Sequence, residues 1–258
     1  MLKCRIIPKF LVRDGRLAKG VRFHENFREA GNPVSTARVY DAYGVDEMMF
    51  LDIQATAQGR SLLGPMMESI SAEVFMPLTG GGGVRSLEDV NQLLRAGCDK
   101  VAVNTIAVED PHFVSRAARS FGDQCMTVSI DYQRMPDGTN RVFTHGGLCE
   151  TAYDPIDLAL RMQDSNCGEI LLCSIDRDGT MEGYDLEMIA RATSLLEVPV
   201  IASSGAGSLL DCMAALEAGA SAIAISSLFL FTDHSPIKVR SFLWSRGLPV
   251  RASPSSRN

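Results

Sequence analysis

Eight short apolar runs, each followed by an amphipathic stretch, constrain this chain more than any other feature. They are "RIIPKFL" (5–11), "EMMFLDI" (47–53), "VFMPLTG" (74–80), "KVAVNT" (100–105), "CMTVSID" (125–131), "EILLCSID" (169–176), "PVIASSG" (199–205) and "AIAISS" (222–227). Most are apolar on both faces, as parallel strands covered by helices must be. The intervening "SLEDVNQLLRAG" and "SLLDCMAALEAG" open on serine, a good N-cap, and close on glycine, a good C′ residue. This alternation predicts an α/β fold, a (β/α)8 TIM barrel over residues 1–250. A doubly wound open sheet is the alternative. The polar "RASPSSRN" (251–258) is expected to be a frayed tail.

An internal repeat favours the barrel. "GGVRSLEDVNQLLRAGCDKVAVNT" (82–105) aligns without a gap on "SGAGSLLDCMAALEAGASAIAISS" (204–227). Gly83, Ser86, Leu87 and Asp89 recur as Gly205, Ser208, Leu209 and Asp211, and the same shift sets Glu47 opposite Glu169. The chain reads as two similar half-barrels.

In a barrel, function sits at the C-terminal ends of the strands. Here "TGGGG" (79–83) and "SSGAG" (203–207) each follow a strand and open a helix. Glycines let backbone N–H groups approach an oxyanion, and the helix N-terminus adds a favourable dipole. Asn104 and Thr105 beside the first loop, and Ser226 and Ser227 beside the second, add side-chain donors. Tight turns that need glycine for geometry alone are the other reading. Two loops related by the repeat favour a phosphorylated small molecule, either a bisphosphate or one large phosphosugar.

Composition excludes other classes. A net charge of −6 lacks the basic footprint of bulk nucleic-acid binding. Seven cysteines without a CxxC pair or a His-flanked cluster predict neither a metal site nor a disulfide frame, and suit a reducing compartment. No apolar run approaches the length of a membrane span, so a cytoplasmic protein is expected. No cofactor is expected.

With these pieces placed, the chain resembles the HisF family, the cyclase subunit of imidazole glycerol phosphate synthase. The segments "DGRLAKG", "FLDI", "GGGV", "DKVAVNT", "GEILLCSIDRDGT", "GYDLEMI" and "IASSGAG" carry the resemblance, in order and over nearly the whole chain. It implies a HisH-like glutaminase docked on the barrel bottom, forming a heterodimer. Ammonia then crosses the barrel to a bisphosphate at the top, where aspartates ending strands 1 and 5 act as general acid and base. By this resemblance Arg5, Glu47, Lys100 and Glu169 form a charged ammonia gate, and Asp99 belongs to the glutaminase face. Gly83, Asn104 and Thr105 on one side, and Asp178, Gly179, Gly205, Ala206 and Ser227 on the other, are phosphate-binding. Lys19, in the loop after strand 1, and Asp52 contact substrate.

The departures concern the chemistry. Asp131 matches the strand 5 aspartate, but Leu11 stands where its strand 1 partner belongs. Aligning strand 1 on strand 5 sets Leu11 opposite Asp131 without reference to any family. A leucine can neither give nor take a proton, and losing an acid or base costs about 10²–10⁴ in rate. Lys9 replaces a small residue and shares side-chain parity with Arg5 and Leu11, so it should enter the lumen, with Asp131 as its expected partner. Ser204 replaces a glycine, Cys173 a threonine, Gly146 a serine and Leu230 a histidine.

Three functions follow. In the first, the chain is an ammonia-channelling HisF-like paralogue without cyclase activity. It would work with a HisH-like glutaminase and a separate sugar amidotransferase, in acetamidino-sugar formation for surface polysaccharide. The second is an authentic cyclase of histidine biosynthesis. The third is a phosphosugar-binding regulator of the glutaminase.

Overall fold

The first run forms β1 (Arg5–Arg13), and its two faces explain its apolar character. Ile6, Phe10 and Val12 pack outward under the helices, while Ile7 joins a second apolar cluster inside the barrel. The computed structural model describes residues 3–59 and 63–251, so all of the expected tail except Arg251 lies outside the described residues.

Two antiparallel strands, β2 (Arg16–Val21) and β3 (Glu25–Gly31), follow β1 as a hairpin. The barrel continues through β4 (Met48–Asp52), β5 (Leu78–Gly81), β6 (Lys100–Val103) and β7 (Met126–Arg134). A second excursion, β8 (Asn140–Thr144) and β9 (Cys149–Glu150), is antiparallel to the end of β7. Then come β10 (Glu169–Ser174), β11 (Val200–Ser203) and β12 (Ala222–Ile225). The parallel order β1-β4-β5-β6-β7-β10-β11-β12 closes where β12 pairs with β1. This is the expected (β/α)8 barrel. Its first and fifth strands both carry a hairpin at the same end, as two half-barrels would.

Local chemistry sets the connections. Ser86 caps the helix Leu87–Arg95 in a reciprocal box with Asp89, and Ser208 caps Leu209–Glu217 in the matching place of the second half. One strand boundary differs from expectation. The third strand starts at Leu78 rather than Val74, because Pro77 has no N–H to donate and Phe75 is 95% exposed. The seven cysteines are unpaired. Among the described residues, no helix is long and apolar enough to cross a membrane and no cluster could hold a metal.

Candidate functional site

Inward-facing residues alternate along each strand, so the lumen is built in layers. At the bottom, Arg5 donates to Glu47 and to Glu169, both at 2.6 Å. Lys100 closes the ring from the other side, 2.8 Å from Glu47 and 2.9 Å from Glu169. Thr79 and Thr127 donate to the same two carboxylates at 2.7 and 3.0 Å. Sequence reasoning missed both threonines, although their strand parity could have placed them beside the ring. Burial raises the Glu169 carboxyl, but Arg5 and Lys100 outweigh it and hold the group below the usual range. Asp99, exposed at this end of the barrel, accepts from the Leu78 amide at 2.8 Å.

Above the ring lies an apolar layer of Ile7, Met49, Leu171, Ile201 and Ala222, all fully buried. A neutral molecule the size of ammonia crosses such a layer at far lower cost than an ion does.

The next layer is polar. Register places Asp131, Cys173 and Ser203 side by side on β7, β10 and β11. Lys9 enters the lumen as its parity requires, but its partner is not the expected Asp131. Its ammonium donates to Ser203 Oγ at 2.7 Å and approaches Cys173 Sγ at 3.7 Å. Asp131 accepts instead from Ser129 Oγ at 2.8 Å. The β7 register explains this, because Ser129 lies two residues before Asp131 on the same face. Burial pushes the Asp131 carboxyl up to about 6, against the Ser129 hydrogen bond and the Lys9 charge. Burial opposes the charge on Lys9 as well, but the Cys173 sulfur, Asp178 and Asp131 together move it upward. Burial also raises the Cys173 thiol, which suits a packed, inert cysteine.

Lys9, Leu11 and Asp131 all line a cavity of about 360 Å³ at the barrel mouth, together with Asp52, Gly83, Asn104 and Thr105. Leu11 is buried and apolar against this space. Two expected donors are already engaged. Asn104 gives its amide protons to the Ser129 and Phe143 carbonyls at 3.1 and 3.2 Å, and Thr105 Oγ1 donates to Asn104 Oδ1 at 3.3 Å while accepting from the His145 amide at 3.0 Å. Asp52 accepts from the Gln54 and Ala55 amides, which ties it to the turn after β4.

The second glycine loop lines a separate space of only about 10 Å³, enough for roughly one water. Lys19 fills the region. Its loop is the β2–β3 hairpin, and the side chain is 2% exposed and ion-paired with Asp178. Lys19 is thus a buried, paired cation rather than a solvated loop charge. Gly179 fits because a side chain there would strike the Gly20 backbone of that hairpin, and Gly205 because one would strike the Gly183 carbonyl. Ser204 adopts φ +78 and donates to Asp178 at 3.1 Å. Burial raises Asp178, but Lys19 and Lys9 hold it below the usual carboxylate range. Ala206, Ser226 and Ser227 complete the wall, and the buried Ser226 hydroxyl has no partner among the described residues.

A family model described as "Histidine biosynthesis protein" matches residues 5–235. The chain belongs to the HisF family. A HisF relative from Streptomyces griseus subsp. griseus, "Imidazole glycerol phosphate synthase subunit HisF", is 47% identical over 250 residues, covering 97% of this chain and 99% of the relative. A relative of the same name from Hyphomonas neptunium is 48% identical over 252 residues, with the same coverage. Within this HisF frame the lumen combines a complete charge ring below with Leu11 and Lys9 on the strand above it.

Proposed function

We propose that this HisF-family chain is the ammonia-conducting subunit of a glutamine amidotransferase complex whose acceptor chemistry lies in another enzyme. One observation carries the reading. Arg5, Glu47, Lys100 and Glu169 close a complete ring across the barrel bottom, while Leu11 faces the cavity that also holds Asp131. A route is kept and a proton-transfer pair is broken. Asp131, with a carboxyl near 6, can still take or give one proton near neutral pH, but Leu11 supplies no second group.

The partner in this reading is a HisH-like glutaminase on the lower face, where Asp99 and Phe75 are exposed. The acceptor is a sugar amidotransferase that forms an acetamidino group. The loops at Gly83 and Gly205 then retain, at most, a binding role for a phosphorylated ligand.

The experiment is to reconstitute the chain with its glutaminase and acceptor and follow glutamine hydrolysis and amidation together. Lys100→Ala should leave hydrolysis running while amidation drops. Unchanged coupling in that variant would remove the ring from the mechanism. The second reading, an authentic cyclase, is favoured by the names of the two relatives. It requires Asp131 to work without a strand 1 partner.

A further inference from the structure

The polar layer of the lumen contains two buried groups of opposite charge that do not pair. Lys9 and Asp131 both line the floor of the 360 Å³ cavity. Lys9 is held by a hydroxyl and a sulfur, and Asp131 by a hydroxyl. The other ionic pair nearby, Lys19 with Asp178, is closed on itself. An ammonium has three donors, and a sulfur at 3.7 Å is a weak acceptor for one of them. Leu11, Leu51 and Phe23 give the same cavity an apolar wall.

We propose that this floor is a binding seat for the carboxylate of a small organic acid. One carboxylate oxygen accepts from Lys9, and the other shares a single proton with Asp131. The apolar body of the acid rests against Leu11, Leu51 and Phe23.

The charge balance supports a carboxylate over a phosphate. Two carboxyl groups in contact cannot both ionise, so they hold one proton between them. A phosphate dianion beside Asp131 would add a second negative charge with nothing to offset it, since Lys19 is already committed to Asp178. The neighbouring space, at about 10 Å³, has no room for a second anionic group. Binding therefore takes up a proton and strengthens as pH falls. The groups facing Asp131 are Lys9 from β1, Ser129 from β7, Cys173 from β10 and Asp178 beyond β10. His24 and His145 also line the cavity. This seat is independent of whether ammonia crosses the barrel.

The test is isothermal titration of the whole chain with butyrate and benzoate, and with inorganic phosphate for comparison. It is run near pH 6 and near pH 8, each in two buffers of different ionisation enthalpy. The carboxylates should bind with uptake of close to one proton at pH 8 and about half a proton at pH 6, and their affinity should fall about tenfold per unit above pH 7. Lys9→Met should weaken them at least about tenfold, about 1.4 kcal/mol. Asp131→Asn should retain binding and lose the pH dependence, which tests the seat even if Lys9→Met does not fold. A pH dependence that survives in Asp131→Asn overturns the shared proton. Equal or tighter binding of phosphate, or no heat from either carboxylate up to about 10 mM, overturns the seat itself.

Discussion

Lys9 and Asp131 share one cavity floor without forming an ion pair: the lysine donates to Ser203 and the aspartate accepts from Ser129. The arrangement keeps Asp131 in an environment that penalises its charge. It also sets the pH behaviour of the fold.

Asp131 titrates at about 6 in the folded chain, against 3.8 for the ordinary group. A raised carboxyl stabilises the fold fully below the lower value, and that contribution is lost as pH rises through the upper one. Asp131→Asn should therefore gain stability over the wild type between about pH 4 and pH 6, reaching about 3 kcal/mol and staying level above. Urea unfolding at a series of pH values checks this. A difference that does not change with pH would contradict the raised carboxyl.

The bottom ring makes a different prediction. Arg5→Met leaves Glu47 and Glu169 sharing Lys100 alone. Breaking a largely buried network in this way should cost about 3 kcal/mol. Glu169 should then titrate higher, so the loss should be largest near neutral pH and shrink under acid. Chemical denaturation at two pH values reads both effects.

Lys19 ties the β2–β3 hairpin to the loop after β10. Lys19→Met leaves Asp178 buried with Ser204 and the more distant Lys9. The expected cost is about 3–5 kcal/mol, with proteolytic cleavage appearing first within residues 16–31. Cleavage elsewhere, with the hairpin intact, would show that the ion pair does not hold it.

The barrel was legible because its strands are buried on both faces and its helices begin and end on clear capping residues. The four residues of the ring, Arg5, Glu47, Lys100 and Glu169, were legible through the family resemblance, and the structure brings them into ion-pair contact. Three things were not. The β2–β3 hairpin, "RLAKGV" with "ENFREAG", is rich in charge and lacks an apolar run, so it reads only as a loop after strand 1, yet its Ala18, Lys19 and Gly20 are buried. The β7–β8 hairpin has only the "PDG" turn at 136–138 as its signal, and a turn alone does not fix how far the flanking strands pair. The partner of Lys9 depends on side-chain reach across the lumen, and no periodicity specifies whether Ser203 or Asp131 wins.

In the proposed function this chain keeps a passage for ammonia and lacks the family's proton chemistry. The most direct measurement supplies the cyclase bisphosphate and saturating ammonium to the purified, folded chain, with a HisF relative as positive control. Leu11 at the strand 1 position predicts turnover about 10²–10⁴ below the control, and Leu11→Asp alone should not restore it while Lys9 remains. Turnover comparable to the control would contradict the account.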